Sequence, residues 1–150
     1  MKIRSLLALM GLAVGFTVPT LAQEQDVVTP EIRQQIEAAV MKFQDAYNKH
    51  DPIALAALYT QDGVEVRGWV SWPTGYSYSS RHTIEKMFAS DPLASGAGQM
   101  VIKVVQLYPI GSSVCEIEDS QIDGSPFRAV VIYVLNGDTW LRRSVFVNRY

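Results

Sequence analysis

The side chains best suited to proton transfer or ligand contact gather in three stretches of this 150-residue chain. His82 stands at a helix start, where an imidazole can serve as general base, general acid or hydrogen-bond donor near neutral pH; a solvated surface histidine is the commoner case. Tyr47, Tyr59, Tyr76 and Tyr78 can donate to a developing oxyanion. Trp69, Trp72, Tyr76 and Tyr78 are set among Gly, Pro and Ser. That is more ring area than a solvated connector needs, so the cluster covers a cavity or makes an interface, core packing being the plainer reading of each ring alone.

The last stretch offers two faces. Trp140, Arg142, Ser144, Phe146 and Asn148 alternate with Leu141, Arg143, Val145, Val147 and Arg149, and alternation does not choose between them. If the first set lines a pocket, Arg142 binds an anionic group and Ser144 or Asn148 orients it. Otherwise Arg142 is a solvated arginine at an edge. Carboxylates are harder to bring inside. Glu65 lies between Val64 and Val66, and Glu116 and Glu118 flank Ile117, so if the aliphatic residues face the core these acids face solvent. Asp51 and Asp62 occupy cap and turn positions, and His50 falls in a break between helices; each has a structural reading.

Thirteen basic against fifteen acidic residues, with a charge of -2, make a broad electrostatic hold on nucleic acid a poor expectation. A single cysteine, Cys115, excludes an internal disulfide framework and a four-cysteine zinc site. No phosphate-cradling glycine loop, zinc motif or nucleophile elbow is present. Neither metal nor organic cofactor is expected.

Residues 1–22 join a basic start, an apolar run from Leu6 to Val18 and a Thr20-Leu21-Ala22 end, the pattern of a cleaved secretory signal. The apolar run is short of the roughly 20 residues that span a bilayer. Without Lys2 and Arg4 the remainder has 11 basic against 15 acidic residues, a charge of -4. Residues 23–30 read as a flexible segment and 31–150 as one domain, so the expected address is periplasmic or secreted.

Within that domain Thr29-Pro30-Glu31 marks a helix start, and Ile32, Ile36, Val40, Phe43 and Tyr47 recur at helical spacing. Asp51-Pro52 starts a second short helix, Ile53 to Tyr59, and Thr60 to Gly63 reads as a turn before a strand at Val64 to Val66. Gly68 to Ser80 reads as a loop or loose hairpin. A third helix, Thr83 to Ala89, carries Met87 on its apolar side. Four strands follow at Met100–Tyr108, Ser113–Ser120, Phe127–Leu135 and Thr139–Asn148, with Asn136-Gly137 the strongest hairpin signal. Helices first and a four-stranded antiparallel sheet last give an α+β class, the sheet curling over the long helix.

The segment Phe43-Gln44-Asp45-Ala46-Tyr47-Asn48-Lys49-His50-Asp51, followed by Ala54 to Val64, resembles the opening of the nuclear transport factor two-like superfamily, in particular its SnoaL-like and ketosteroid-isomerase-like branches. Arg81-His82-Thr83-Ile84-Glu85-Lys86-Met87-Phe88 is similar to the helix after the first strands, with serine and arginine in place of the usual preceding glycine. Gly137-Asp138-Thr139-Trp140, with Asn148 further on, looks like the final hairpin. The resemblance spans residues 31–150. It implies a cone-shaped roll, also called cystatin-like, whose curved antiparallel sheet encloses an apolar cavity with one open end, commonly dimeric through the outer sheet face. It does not imply one chemistry.

On this resemblance the expectation is an exported domain binding a small apolar or weakly anionic molecule, lined by Tyr47, Trp69, Trp72, Tyr76, Tyr78, Met87, Arg142 and Ser144. His82 and Tyr47 are the candidate catalytic groups of the rival reading, a cofactor-free isomerase, cyclase or dehydratase. Enolisation there requires a carboxylate base in an apolar pocket, which the outward-facing acids do not supply. A dimeric protein-interaction module is the third reading. No nucleic acid and, after signal cleavage, no membrane is expected as a partner; a homodimer is.

Overall fold

A computed structural model describes residues 27–69, 72–90 and 98–149. The signal segment 1–22, residues 23–26 and most of the Leu93–Gly98 loop lie outside the described residues. Trp69 and Trp72 are placed in their strands by backbone only.

Helix α1 runs Pro30–Asn48, capped as its sequence predicts: the Thr29 hydroxyl accepts from the Ile32 amide at 3.3 Å, and proline occupies the first turn. It ends in a Schellman turn, with the Asp51 amide on the Ala46 carbonyl and the His50 amide on the Tyr47 carbonyl. His50 takes the left-handed position usually given to glycine, at φ 53°. Asp51 then caps α2, Pro52–Ala57, by accepting from the Ala54 amide at 2.9 Å. The break between helices is therefore a three-residue corner, Lys49 to Asp51.

Strand β1 spans Tyr59–Trp69 and β2 spans Trp72–Ser79. Helix α3, Arg81–Ser90, leads to β3 (Met100–Ile110), β4 (Ser113–Ile122), β5 (Ser125–Asn136) and β6 (Thr139–Arg149). All six strands form one sheet in the order β2-β1-β6-β5-β4-β3. Two expectations are corrected here. Among the described residues the sheet has six strands: Thr60–Gly63, read as a turn, belongs to β1, and of the loop and hairpin readings of the aromatic stretch the hairpin holds, β2 pairing antiparallel with β1. The sheet is antiparallel except between its second and third strands in that order, where β1 runs parallel to β6. The chain between these two strands runs through β2, α3 and β3–β5, and the Arg142 amide donates to the Leu58 carbonyl at 2.9 Å where their pairing begins. The turn chemistry agrees with the sequence. Asp123 and Gly124 both hold positive φ in the tight β4–β5 turn, and Gly137 does so in the β5–β6 turn.

The sheet's inner face and the apolar sides of α1 and α3 bury the core, including Ile36, Phe43, Ile84, Phe88 and Val131. Helix α1 is fastened to the edge strand by side-chain amides: Asn48 donates to the Met100 carbonyl at 3.0 Å and accepts from its amide at 2.7 Å. Gln44 accepts from the Ile102 amide at 2.8 Å. The amides act as a surrogate strand for the exposed edge of β3. Among the described residues no helix is long and apolar enough to cross a membrane.

Candidate functional site

Between the helices and the inner sheet face lies a cavity of about 60 Å³. Its walls are apolar, with Phe43, Phe88, Met100, Phe127, Ala129 and Val145 among them. Its floor is charged. Glu65, Arg67, Glu118 and Arg142 all line it, and Glu65, Glu118 and Arg142 are almost wholly buried.

This reverses the expected orientation of the acids. Glu65 pairs laterally with Val145 and Tyr78 on the inner face, while Val66 pairs with Phe146 on the outer face. On β4 the buried set is Val114, Glu116, Glu118, Ser120 and Ile122, so Ile117 is the outward residue. The valines beside Glu65 cover the outer sheet instead of the core. The misleading cue was that both faces of these strands carry aliphatic residues, so alternation fixed the period and left the sign open.

The carboxylates are held in two units. Glu65 receives the Tyr59 hydroxyl at 2.6 Å on one oxygen and Arg67 Nε at 2.6 Å on the other. Arg142 donates to Glu118 at 3.1 Å and to the Tyr133 hydroxyl at 3.3 Å, and its guanidinium lies 3.7 Å from the Phe43 ring centre. Burial pushes the Tyr59 and Tyr133 phenols well above their usual range, with the Glu65 charge adding to the effect on Tyr59. Both phenols are therefore neutral donors at physiological pH. Glu116, two residues from Glu118 on the same face, is 0% exposed, and neither of its carboxyl oxygens meets a donor in hydrogen-bond geometry. Burial, then the neighbouring Glu118 charge, raise its carboxyl to about 8, against the opposing pull of Arg142 and of the Tyr133 hydroxyl, which lies close by without meeting hydrogen-bond geometry. Burial likewise raises Glu118.

A β-bulge settles the faces of the last strand, and neither alternating set survives it. Tyr133 pairs with Arg142 and Ile132 with Ser144, leaving Arg143 as the extra residue. Trp140 and Arg142 point inward before the bulge, and Val145 and Val147 after it. Ser144 is thereby turned to the outer face beside Val64 and Ile132. It does not reach the cavity.

Of the other candidates, Tyr47 and Arg142 line the cavity. Met87 is buried in the core but outside the lining, and Tyr78 is half-buried beside Glu65. Tyr76, 49% exposed, pairs with Arg67. His82 is exposed on α3, so it is no cavity base. The side chains of Trp69 and Trp72 lie outside the described residues. Arg142 gives Nε to the Tyr133 hydroxyl and one terminal nitrogen to Glu118, so part of the donor set expected for an anion is already taken. No group of acids, histidines and cysteine that could hold a metal occurs among the described residues.

No protein-family model and no curated protein matches the sequence. Solved structures do match the fold. A nuclear transport factor two-like protein of unknown function from Silicibacter pomeroyi is 16% identical, with 83% of this chain and 100% of that one covered and a TM-score of 0.67. Another of unknown function, from Shewanella baltica, is 9% identical over 83% and 98%, with a TM-score of 0.64. A ketosteroid isomerase-like protein from Erwinia carotovora is 13% identical over 81% and 98%, with a TM-score of 0.62. The architecture is the nuclear transport factor two-like fold.

Proposed function

We propose that this domain binds a small, largely apolar molecule in the cavity between α1, α3 and the sheet. The observation that carries the reading is the pairing of an apolar wall with a polar floor, Tyr59–Glu65–Arg67 and Glu118–Arg142–Tyr133, in which all but the part-exposed Arg67 are buried. A domain built only to pack would fill that space with aliphatic side chains, since burying ion pairs seldom adds stability. At about 60 Å³ the space is smaller than an apolar cavity of about 150 Å³ that accepts benzene, so it takes the head of a ligand rather than the whole of it. Thermal unfolding with benzyl alcohol and with 2-cyclohexenone tests the reading. A dose-dependent rise in Tm with either is expected, and no rise with both refutes it.

A second reading, cofactor-free proton transfer, is favoured by one distance. The Tyr59 hydroxyl and the Glu65 carboxylate are 2.6 Å apart inside an apolar wall, so a base and a neutral donor share one hydrogen bond. A solved structure of this fold is described as ketosteroid isomerase-like, which agrees with such chemistry. Deuterium uptake α to the carbonyl of 2-cyclohexenone in D2O is expected to exceed the buffer rate and to fall to it in Glu65→Gln. Equal uptake by both proteins removes this reading.

Two further properties belong to the proposal. Export rests on the signal pattern of residues 1–22. Pairing with a second copy rests on the outer sheet face, where Val66, Phe146, Val130 and Ile117 adjoin across four strands and Phe146 is 51% exposed.

A further inference from the structure

The charges of the cavity lining cancel. Among the described residues it holds two carboxylates, Glu65 and Glu118, and two guanidiniums, Arg67 and Arg142, and each acid is bonded to one base. A cationic head would add a third positive charge to this set and an anionic head a third negative one, and a low-dielectric interior strongly penalises a charge without a partner. Two of the ring faces are occupied as well: the Arg142 guanidinium lies 3.7 Å from the Phe43 ring centre and that of Arg67 lies 5.3 Å from the Phe88 ring centre. The balance favours a neutral head.

One uncharged polar group of the lining is still open. Ser120 is 6% exposed and lines the cavity, its hydroxyl bonds to no described residue, and that oxygen is not among the side-chain atoms sealed from solvent. A hydroxyl in that state opens on the cavity itself. Two residues earlier on β4, Glu118 faces the same way, so their backbone positions stand roughly 7 Å apart along the strand, near enough for one polar atom to reach both side chains. One Glu118 oxygen receives Arg142, which leaves the carboxylate with acceptor capacity to spare. On β5 the lateral neighbours are Phe127 beside Ser120 and Ala129 beside Glu118. Ala129 ends at a methyl group, so the space next to the carboxylate stays open.

We propose that the cavity takes the hydroxyl head of a small apolar alcohol, the ligand oxygen accepting from the Ser120 hydroxyl and its hydrogen donating to the Glu118 carboxylate. This rests on the ligand-binding reading above and names its ligand class. A ligand entering this space displaces water from both groups, and the head that keeps both contacts carries a donor and an acceptor on one atom. A ketone satisfies Ser120 and brings no donor to Glu118. A hydrocarbon satisfies neither, and a hydrogen bond left unmade at a buried polar group lowers affinity. Glu65 offers no equivalent opening, because its two oxygens already receive Tyr59 and Arg67.

Calorimetric titration of the full chain near neutral pH with cyclohexanol, cyclohexanone, cyclohexylamine and cyclohexanecarboxylate decides the matter. Cyclohexanol is expected to bind about tenfold more tightly than each of the others. Ser120→Ala deletes one hydroxyl and no charge. Its unfolding midpoint is expected to stay at or above the native value, which shows that the variant is folded, and its affinity for cyclohexanol to fall about five- to tenfold. The comparison among the four probes needs no variant, so it decides even where Ser120→Ala does not fold. Any of the other three binding as tightly as cyclohexanol, or folded Ser120→Ala binding cyclohexanol as tightly as the native chain, overturns the inference and leaves the ligand-binding reading standing. Failure of all four probes to bind overturns both.

Discussion

Glu116 makes the stability of this protein depend on pH in an uncommon direction. Its carboxyl loses its proton near 8 when folded, against 4.5 for an unperturbed glutamate. Between these values the folded chain keeps a proton that the unfolded chain has lost, so stability is full below about 4.5, declines as pH rises through the window, and levels off above about 8. Urea midpoints measured at pH 5.5 and pH 8 are expected to fall with rising pH, and to fall much less in Glu116→Gln; a midpoint that rises over that range contradicts the assignment. The exposed acids Asp62 and Asp119, held low mainly by hydrogen bonds from Arg143 and Arg128, act the other way at more acid pH and do not enter this window.

Arg142 supplies a second expectation at the same scale. Arg142→Met removes the partner of a buried carboxylate and is expected to destabilise by about 3–5 kcal/mol, whereas adding Glu118→Gln to it recovers much of the loss. Additive losses in that double-mutant cycle would show that the two side chains are not coupled. The chemistry-bearing residues were the least legible part of the sequence. Tyr47 and Arg142 were recognisable as candidates, but Glu65, Glu116 and Glu118 were assigned to solvent and Ser144 to the pocket. Period-two alternation says which residues share a face without saying which face is inside, and the bulge at Arg143 shifts the pattern partway along β6.

The elements themselves were read more accurately, because their ends are written in local chemistry. Thr29-Pro30, Asp51-Pro52 and Asn136-Gly137 lie at the ends they signalled. Strand β2 reads in sequence as either a loop or a loose hairpin since Gly, Pro and Ser outweigh its aromatic residues, and its pairing with β1 supplies the order that composition does not. Ser80 retains the glycine-like conformation at φ 94° although the usual glycine is absent. The clasp between α1 and β3 is a property of elements that no single-strand pattern reveals. Asn48→Ala leaves the amide and carbonyl of Met100 without their partner, and a loss of about 1–3 kcal/mol in unfolding free energy is expected. Because Met100 also lines the cavity, ligand affinity should fall with it. An unchanged unfolding midpoint would mean the clasp is replaced by water at no cost.

For the whole molecule, the sheet separates two apolar surfaces, one folded over the cavity and one facing outward. If a second copy covers the outer face, light scattering gives a dimer for the native chain and a monomer for Phe146→Asp with its far-ultraviolet circular dichroism intact. A monomeric native chain contradicts the pairing. The cavity is the feature on which the account depends, and Ala129 is placed to test it: a buried small residue in the lining, on the strand beside Glu118. Ala129→Leu fills that space without adding charge. Titrating benzyl alcohol into both proteins by nuclear magnetic resonance, the account predicts saturable shifts at the cavity lining of the native chain and none in the folded variant; equal binding by the two, or shifts confined to another surface, would contradict it.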